Sequence, residues 1–166
     1  MSERHLVLVK EGERVALAEY IAQLWHAAYD ELLGKEQVVY MTAHFQSAGA
    51  IAGQIAEDNY IYFYITERGK KRGYVAVVPE PSRLFLSKIY LDPDLYGRGL
   101  GQTILGEIAH MARRLGLDSV YLTVNKGNAR AIRAYEKFGF VRTDSVVTDI
   151  GNGFVMDDYV YEYKLA

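Results

Sequence analysis

The sequence predicts a single α/β (α+β) domain over residues 1–166: a mixed central sheet of about seven strands with helices on both faces. Three observations carry this. The hydrophobic period is helical from Glu11 to Glu57 and becomes strand-like at Tyr60–Ile65. A strand, a glycine-rich loop, an amphipathic helix and another strand then follow in order from Leu84 to Val124. Such a unit makes a parallel, right-handed crossover. Last, two β-rich segments flank Gly151-Asn152-Gly153, which reads as a terminal hairpin.

Leu6 to Val9 is a first short strand. Glu11 to Tyr29 places Val15, Ala18, Ile21, Ala22, Trp25 and Tyr29 on one helical stripe, and Gly34 breaks it. Lys35–Phe45 and Gly49–Glu57 read as two shorter helices. Arg68 to Arg72 is a polar turn between strands at Tyr60–Ile65 and Gly73–Val78, and Pro79 and Pro81 separate the latter from Leu84–Leu91. Short connections make these strands antiparallel. Leu100, Ile104, Ile108, Met111 and Leu115 recur at helical spacing until Gly116. Ser119–Val124 is a strand, Asn128–Phe138 a helix with Gly139 past its end, and Phe140–Ile150 and Phe154–Leu165 form the hairpin. No linker, repeat or low-complexity segment interrupts the chain.

Composition narrows the function. With 166 residues, a chain buries roughly 70% of its unfolded surface, enough for a real core. The net charge of −2 gives no reason to expect nucleic-acid or membrane-surface binding. The absence of cysteine excludes disulfides, a thiol nucleophile and thiolate metal sites, and fits a reducing, cytoplasmic compartment. No apolar run reaches the ~18 residues of a membrane span. Met1 to His5 followed by Leu6–Val9 is too short and too early for a signal peptide. His5, His26, His44 and His110 form no metal-binding spacing, so no metal is expected. Tyrosine is abundant, at 14 residues; Tyr60, Tyr62 and Tyr64 share one strand face, as do Tyr159, Tyr161 and Tyr163.

The most informative stretch runs from Ile89 to Gln102. A strand ends at Leu91, a loop with glycines at 97, 99 and 101 follows, and a helix begins. Glycines let backbone amides converge without a β-carbon in the way, and a helix N-terminus adds partial positive charge, which suits a phosphate or pyrophosphate. The loop lacks the lysine of a P-loop and the spacing of a dinucleotide fingerprint. A second constellation follows: Asn128 and Tyr135 are seven residues apart on one helix face. The plainer reading of the pair is a helix cap and a packed aromatic ring.

Together the two segments resemble the GNAT superfamily of N-acetyltransferases. Tyr96-Gly97-Arg98-Gly99-Leu100-Gly101 is similar to its acetyl-CoA loop, with Tyr96 where Gln or Arg is usual. Asn128, Ala131, Tyr135, Gly139 and Phe140 meet its Asn-x-x-Ala-x-x-x-Tyr-x-x-x-Gly-Phe pattern. Both motifs stand in the family's order, and the resemblance in element order covers nearly the whole chain. Tyr29–Met41 and Phe154–Leu165 look, more loosely, like bacterial polyamine N-acetyltransferases.

The resemblance implies a GNAT-like fold and direct attack of an amine on acetyl-CoA. Backbone groups of Ile89, Tyr90 and Leu91 would hold the pantetheine arm. Tyr96, Gly97, Arg98, Gly99, Leu100, Gly101 and Gln102 would cradle the pyrophosphate, Asn128 would bind the cofactor arm, and Arg98, Arg130 or Lys137 would meet outer phosphates. Tyr135 would be the general acid for the leaving thiolate. A primary amine is about 99.9% protonated at neutral pH, so a base is required; Phe85-Leu86-Ser87-Lys88 supplies no acid, which leaves Glu31, Glu36 or a water chain. The expected partner is a small cationic amine such as a polyamine, with Glu31, Glu36, Asp157 and Asp158 along its path. A peptide or protein N-acetyltransferase and a non-catalytic CoA-binding sensor are the alternatives, and a homodimer is compatible with the sequence.

Overall fold

The structure, a computed structural model, describes residues 5–165; the reading of Met1 to Arg4 lies outside them. One seven-stranded sheet runs through it, built from β1 (Leu6–Leu8), β2 (Ile61–Glu67), β3 (Lys70–Pro79), β4 (Arg83–Leu91), β5 (Ser119–Asn125), β6 (Val141–Gly151) and β7 (Phe154–Lys164). The spatial order is β1-β2-β3-β4-β5-β7-β6. All neighbours are antiparallel except β4 and β5, which run parallel as expected of the crossover.

The helices are α1 (Arg14–Leu33), α2 (Lys35–Phe45), α3 (Ala48–Glu57), α4 (Leu100–Arg114) and α5 (Ala129–Phe138). They divide between the two sheet faces, as the sequence predicts. One face buries Ile104, Ile108 and Ala112 of α4 and Ala131 and Tyr135 of α5 against Val75, Val120, Leu122 and Tyr161. The other buries Leu17 and Ile21 of α1 and Ile51 of α3 against Tyr62, Tyr64 and Tyr74. The two tyrosine runs therefore serve packing first, on opposite faces.

Element boundaries differ from the sequence reading where local chemistry decides. The first helix starts after a 3-10 turn at Glu11–Glu13 and continues one turn beyond Tyr29, to Leu33, where Gly34 takes φ 88°. The predicted polar turn over Arg68–Arg72 contracts to Arg68-Gly69, both at positive φ, the geometry a two-residue hairpin favours. Lys70, Lys71 and Arg72 belong to β3, since the ladder continues through their backbone whatever their side chains are. Asn152-Gly153 closes the terminal hairpin in the same way.

Two local features shape the site. The register between β3 and β4 passes from Ala76↔Lys88 to Val77↔Leu86, so Ser87 is an extra, bulged residue. A bulge bends its strand and flips the alternation beyond it. Leu84 and Leu86 face the α4 and α5 side, whereas Tyr90 faces the α1 side. The parallel pairing of β4 with β5 stops after Phe85↔Tyr121, and the two strands part.

Candidate active site

A cleft of about 270 Å³ opens where β4 and β5 separate. Its walls are Phe85–Tyr90 of β4 and Leu122–Asn125 of β5; Trp25, Tyr29 and Leu33 of α1 cover it, and Asn128, Tyr135 and Asp158 complete it. Beyond Phe85 the β5-facing edge of β4 has no strand partner among the described residues. Backbone polar groups between Ser87 and Leu91 therefore face the cleft, free to bind an extended ligand arm. A larger hollow of about 630 Å³ lies at the opposite end of β4 and β5, beside Arg83 and Ser119, and contains none of the residues that the sequence motifs single out.

The glycine loop adjoins this opening. Gly97 and Gly99 adopt φ 78° and 80°, which a side chain would strain, and α4 begins directly after Gly99. Thr103 is the first residue of α4 whose amide finds a backbone partner, the carbonyl of Gly99 at 3.1 Å. The amides of Leu100, Gly101 and Gln102 lie ahead of it, unsatisfied in the manner of every helix start. A β-carbon on Gly97, Gly99 or Gly101 would meet nothing within 4 Å, so the space over the loop is open. Gln102 ties the helix start to α5 by donating from Nε2 to the Ala134 carbonyl at 2.9 Å. Open amides at a positive helix end fit a pyrophosphate.

Other sequence-predicted residues are distributed more widely. Asn128 caps α5, its Oδ1 accepting from the Ala131 amide at 3.3 Å, and it also lines the cleft. Arg130 lays its guanidinium over the Tyr96 ring, 3.6 Å from the centroid, which gives Tyr96 a clear local role. Arg98, Arg130 and Lys137 are all exposed. Glu31 and Glu36 are exposed and outside the cleft lining. Asp157 is exposed too and pairs with Lys126 at 2.7 Å. Of the four acids expected along an acceptor path, Asp158 alone lines the cleft.

Tyr135 is 9% exposed, and its ring packs edge-on against Phe140 at 5.8 Å between centroids. Burial pushes its hydroxyl well above the usual tyrosine range, so it stays protonated throughout working pH. Asp158 is 8% exposed, and its Oδ1 has no hydrogen-bond partner. Burial pushes its carboxyl up to about 6; the neighbouring Asp157 charge adds to the effect and Lys126 opposes it. Tyr29 feels both ends of this arrangement. Burial raises it to about 12, with Tyr96 and Asp158 adding to the shift and Arg130 opposing it, and it in turn raises Tyr135. The cleft thus holds a protonated hydroxyl and a poorly solvated carboxylate.

The sequence reading passed over Lys88, which the bulge turns toward α1 and into the cleft. It passed over Trp25 and Tyr74 as well; the indole Nε1 donates to the Tyr74 hydroxyl on the cleft wall. The signal available was the helical stripe of α1, which reads equally well as plain core.

Comparison with known proteins identifies the family. A model of the acetyltransferase (GNAT) family matches residues 18–140, which include the cleft strands, the glycine loop and Tyr135. The chain belongs to the acetyltransferase (GNAT) family. This GNAT chain is 33% identical over 85 residues to the ribosomal protein bS18-alanine N-acetyltransferase of Escherichia coli K12, a match covering 50% of the chain and 56% of that relative. It is 36% identical over 59 residues to the spermine/spermidine N(1)-acetyltransferase of Bacillus subtilis 168, covering 35% of the chain and 39% of that enzyme. The fold matches the PaiA N-acetyltransferase of Thermoplasma acidophilum in complex with coenzyme A, with a TM-score of 0.78, 19% identity and 99% of each chain covered. Among the described residues no cluster of three or more His, Asp or Glu could hold a metal ion, and no helix is long and apolar enough to cross a membrane.

Proposed function

We propose that this protein transfers the acetyl group of acetyl-CoA to a small primary amine held between Asp158 and Tyr135. The observation that carries the reading is one cleft containing both an unpartnered carboxylate and a protonated tyrosine beside an open helix start. Acetyl-CoA would supply a thioester carbonyl as electrophile. The amides at Gly97 to Gln102 would hold its pyrophosphate, and Arg98, Arg130 and Lys137 are exposed cations at hand for its outer phosphates. The free edge of β4 at Ile89 to Leu91 would bind its pantetheine arm, and Asn128, fixed as the α5 cap, would orient it.

Asp158 takes the role that the sequence left open among Glu31, Glu36 and water. As a carboxylate it accepts a proton from the bound ammonium, leaving a neutral amine to attack. Tyr135 then gives its proton to the leaving sulfur and takes back the one that the newly acylated nitrogen sheds. A carboxylate raised toward neutrality is a better proton acceptor than a solvated one, which is why burial suits the role.

A polyamine is a second reading. Tyr29, Tyr60, Tyr74 and Tyr90 wall the cleft, and aromatic faces favour ammonium groups. Only Asp158 of the expected acids would meet such a chain, however, and Lys88 would repel it. The test is thiol release from acetyl-CoA with a panel of primary amines, alongside thermal shifts with acetyl-CoA, ATP and NAD. Stabilisation by acetyl-CoA alone together with acetylated product supports the reading; stabilisation without any product marks a sensor instead.

A further inference from the structure

Lys88 has no counterpart in the chemistry just described. It sits on β4 one residue past the Ser87 bulge, on the cleft wall with Tyr60 and Tyr90. Its ammonium lies 5.9 Å from the Tyr60 ring centroid, and the Tyr60 hydroxyl is pinned to Ser87 Oγ at 3.0 Å. Among the described residues, it has no ion-pair partner. Burial lowers its pKa to about 8, so it remains mostly cationic at neutral pH. Lys88 is half-buried, and an ammonium partly withdrawn from water beside an aromatic ring without a counter-ion gains by meeting an anion.

The same cleft holds the opposite case. Asp158 on β7 presents an unpartnered Oδ1. The two charges do not neutralise one another. Burial alone shifts Lys88, and the charges acting on Asp158 are those of Asp157 and Lys126. Asp158 belongs to the reacting end, since Tyr29, which lines the cleft with both, is raised by Asp158 and itself raises Tyr135. Lys88 stands on the other wall, on the strand whose bulge points it there.

We propose that the acceptor is an amine that also carries a carboxylate, its amino group taken by Asp158 and its carboxylate by Lys88, which makes Lys88 the residue that sets acceptor specificity. This rests on the acetyl-transfer reading above. One such molecule satisfies both orphan charges at once, whereas a diamine satisfies one and collides electrostatically with the other. No bond to Lys88 forms or breaks; it positions the acceptor through a charge-assisted hydrogen bond.

The experiment measures kcat/KM for matched acceptors that differ only in the anionic group. The pairs are α-amino acids against their carboxamides, and ω-amino acids of three to six carbons against the corresponding alkylamines and diamines. Wild type should favour the acid member of at least one pair by roughly tenfold or more, the scale of one charged hydrogen bond. Lys88→Met should raise KM for that acid roughly tenfold while leaving kcat and KM for acetyl-CoA within about threefold, and Lys88→Arg should restore most of the loss. Lys88→Glu should reverse the preference toward the diamine. Transfer to amines with no acid preference overturns this proposal and leaves the acetyltransferase reading standing. Acetylation of Lys88 itself, read by mass spectrometry, also overturns it by making the lysine an acceptor. Acetyl-CoA binding with no transfer to any member of the panel overturns the reading beneath it, and this one with it.

Discussion

The carbonyl oxygen of Tyr90 lies 2.1 Å from where a β-carbon on Gly73 would stand. Gly73 pairs with Leu91 across β3 and β4, and its φ is ordinary, so close approach and not backbone freedom requires glycine here. Ile65 Cδ1 and Leu91 Cα, each at 3.1 Å, close the remaining directions. Gly73→Ala should therefore destabilise by roughly 3 kcal/mol, at the upper end of overpacking costs. For a chain of this size that is about 6–12 °C in Tm by calorimetry. Because Tyr90 is a cleft wall, β4 should shift with it and raise KM for both substrates. An unchanged Tm would mean that β3 and β4 can separate without cost.

The glycines of the loop are not equivalent targets. Gly99 at φ 80° resists any side chain, so a substitution there mixes strain with ligand loss. Gly101 lies in the first turn of α4 with open space around its β-carbon position. Gly101→Glu should fold normally, and a carboxylate at a helix start even adds about 0.3–1 kcal/mol to stability. The same charge occupies the place proposed for a pyrophosphate. Titration calorimetry should show acetyl-CoA affinity falling by roughly a hundredfold or more, the cost of setting like charges together at one anion site. Retained affinity would remove the loop from the cofactor site.

Tyr135→Phe separates acid from scaffold. Phenylalanine keeps the edge-on packing against Phe140 and the buried surface, so Tm should hold within a few degrees. Only the proton donor is lost. Steady-state kinetics should show kcat down by about 10²-fold with KM for acetyl-CoA little changed, the pattern of an interaction made in the transition state. A fall of only a few-fold would leave the ring as packing and assign the proton to water.

What the sequence could and could not reveal follows from the range of each signal. The loop from Tyr96 to Gln102, the Asn128 cap, Tyr135 and the Asn152-Gly153 hairpin are local, each written in consecutive residues or one helical spacing, and all are legible. Strand order is not, since β7 lies between β5 and β6 although it follows both in the chain. The role of Lys88 is hidden for a sharper reason. Even-numbered residues from Leu84 onward read as one face, and only the bulge at Ser87 puts Lys88 and Tyr90 on the other. Glu31 and Glu36 are candidates because Phe85-Leu86-Ser87-Lys88 carries no acid, but helix phase turns both to solvent. Asp157 and Asp158 read alike in the sequence, whereas strand alternation exposes Asp157 and buries its neighbour.

Asp158→Asn tests the base by opposing effects on activity and stability. Burial lifts the carboxyl from 3.8 to about 6, so the native state binds this proton more tightly than the unfolded state. The charged form then costs the folded protein stability above about pH 6, and that cost vanishes as pH falls below 3.8. Asparagine carries no charge, so the variant should be more stable at pH 7.5 by roughly 1–3 kcal/mol, or about 2–12 °C in Tm. The gain should shrink steadily on acidification toward pH 4. Activity should move the other way. In the wild type kcat/KM should rise through pH 6 as Asp158 ionises to accept the ammonium proton, and then level off. In the variant that limb should be absent, the rate at pH 7.5 about 10²-fold lower, and any recovery confined to pH values near the acceptor's own pKa, where neutral amine is already present. A variant that keeps the limb near pH 6 would assign it to another group and leave Asp158 as a substrate contact.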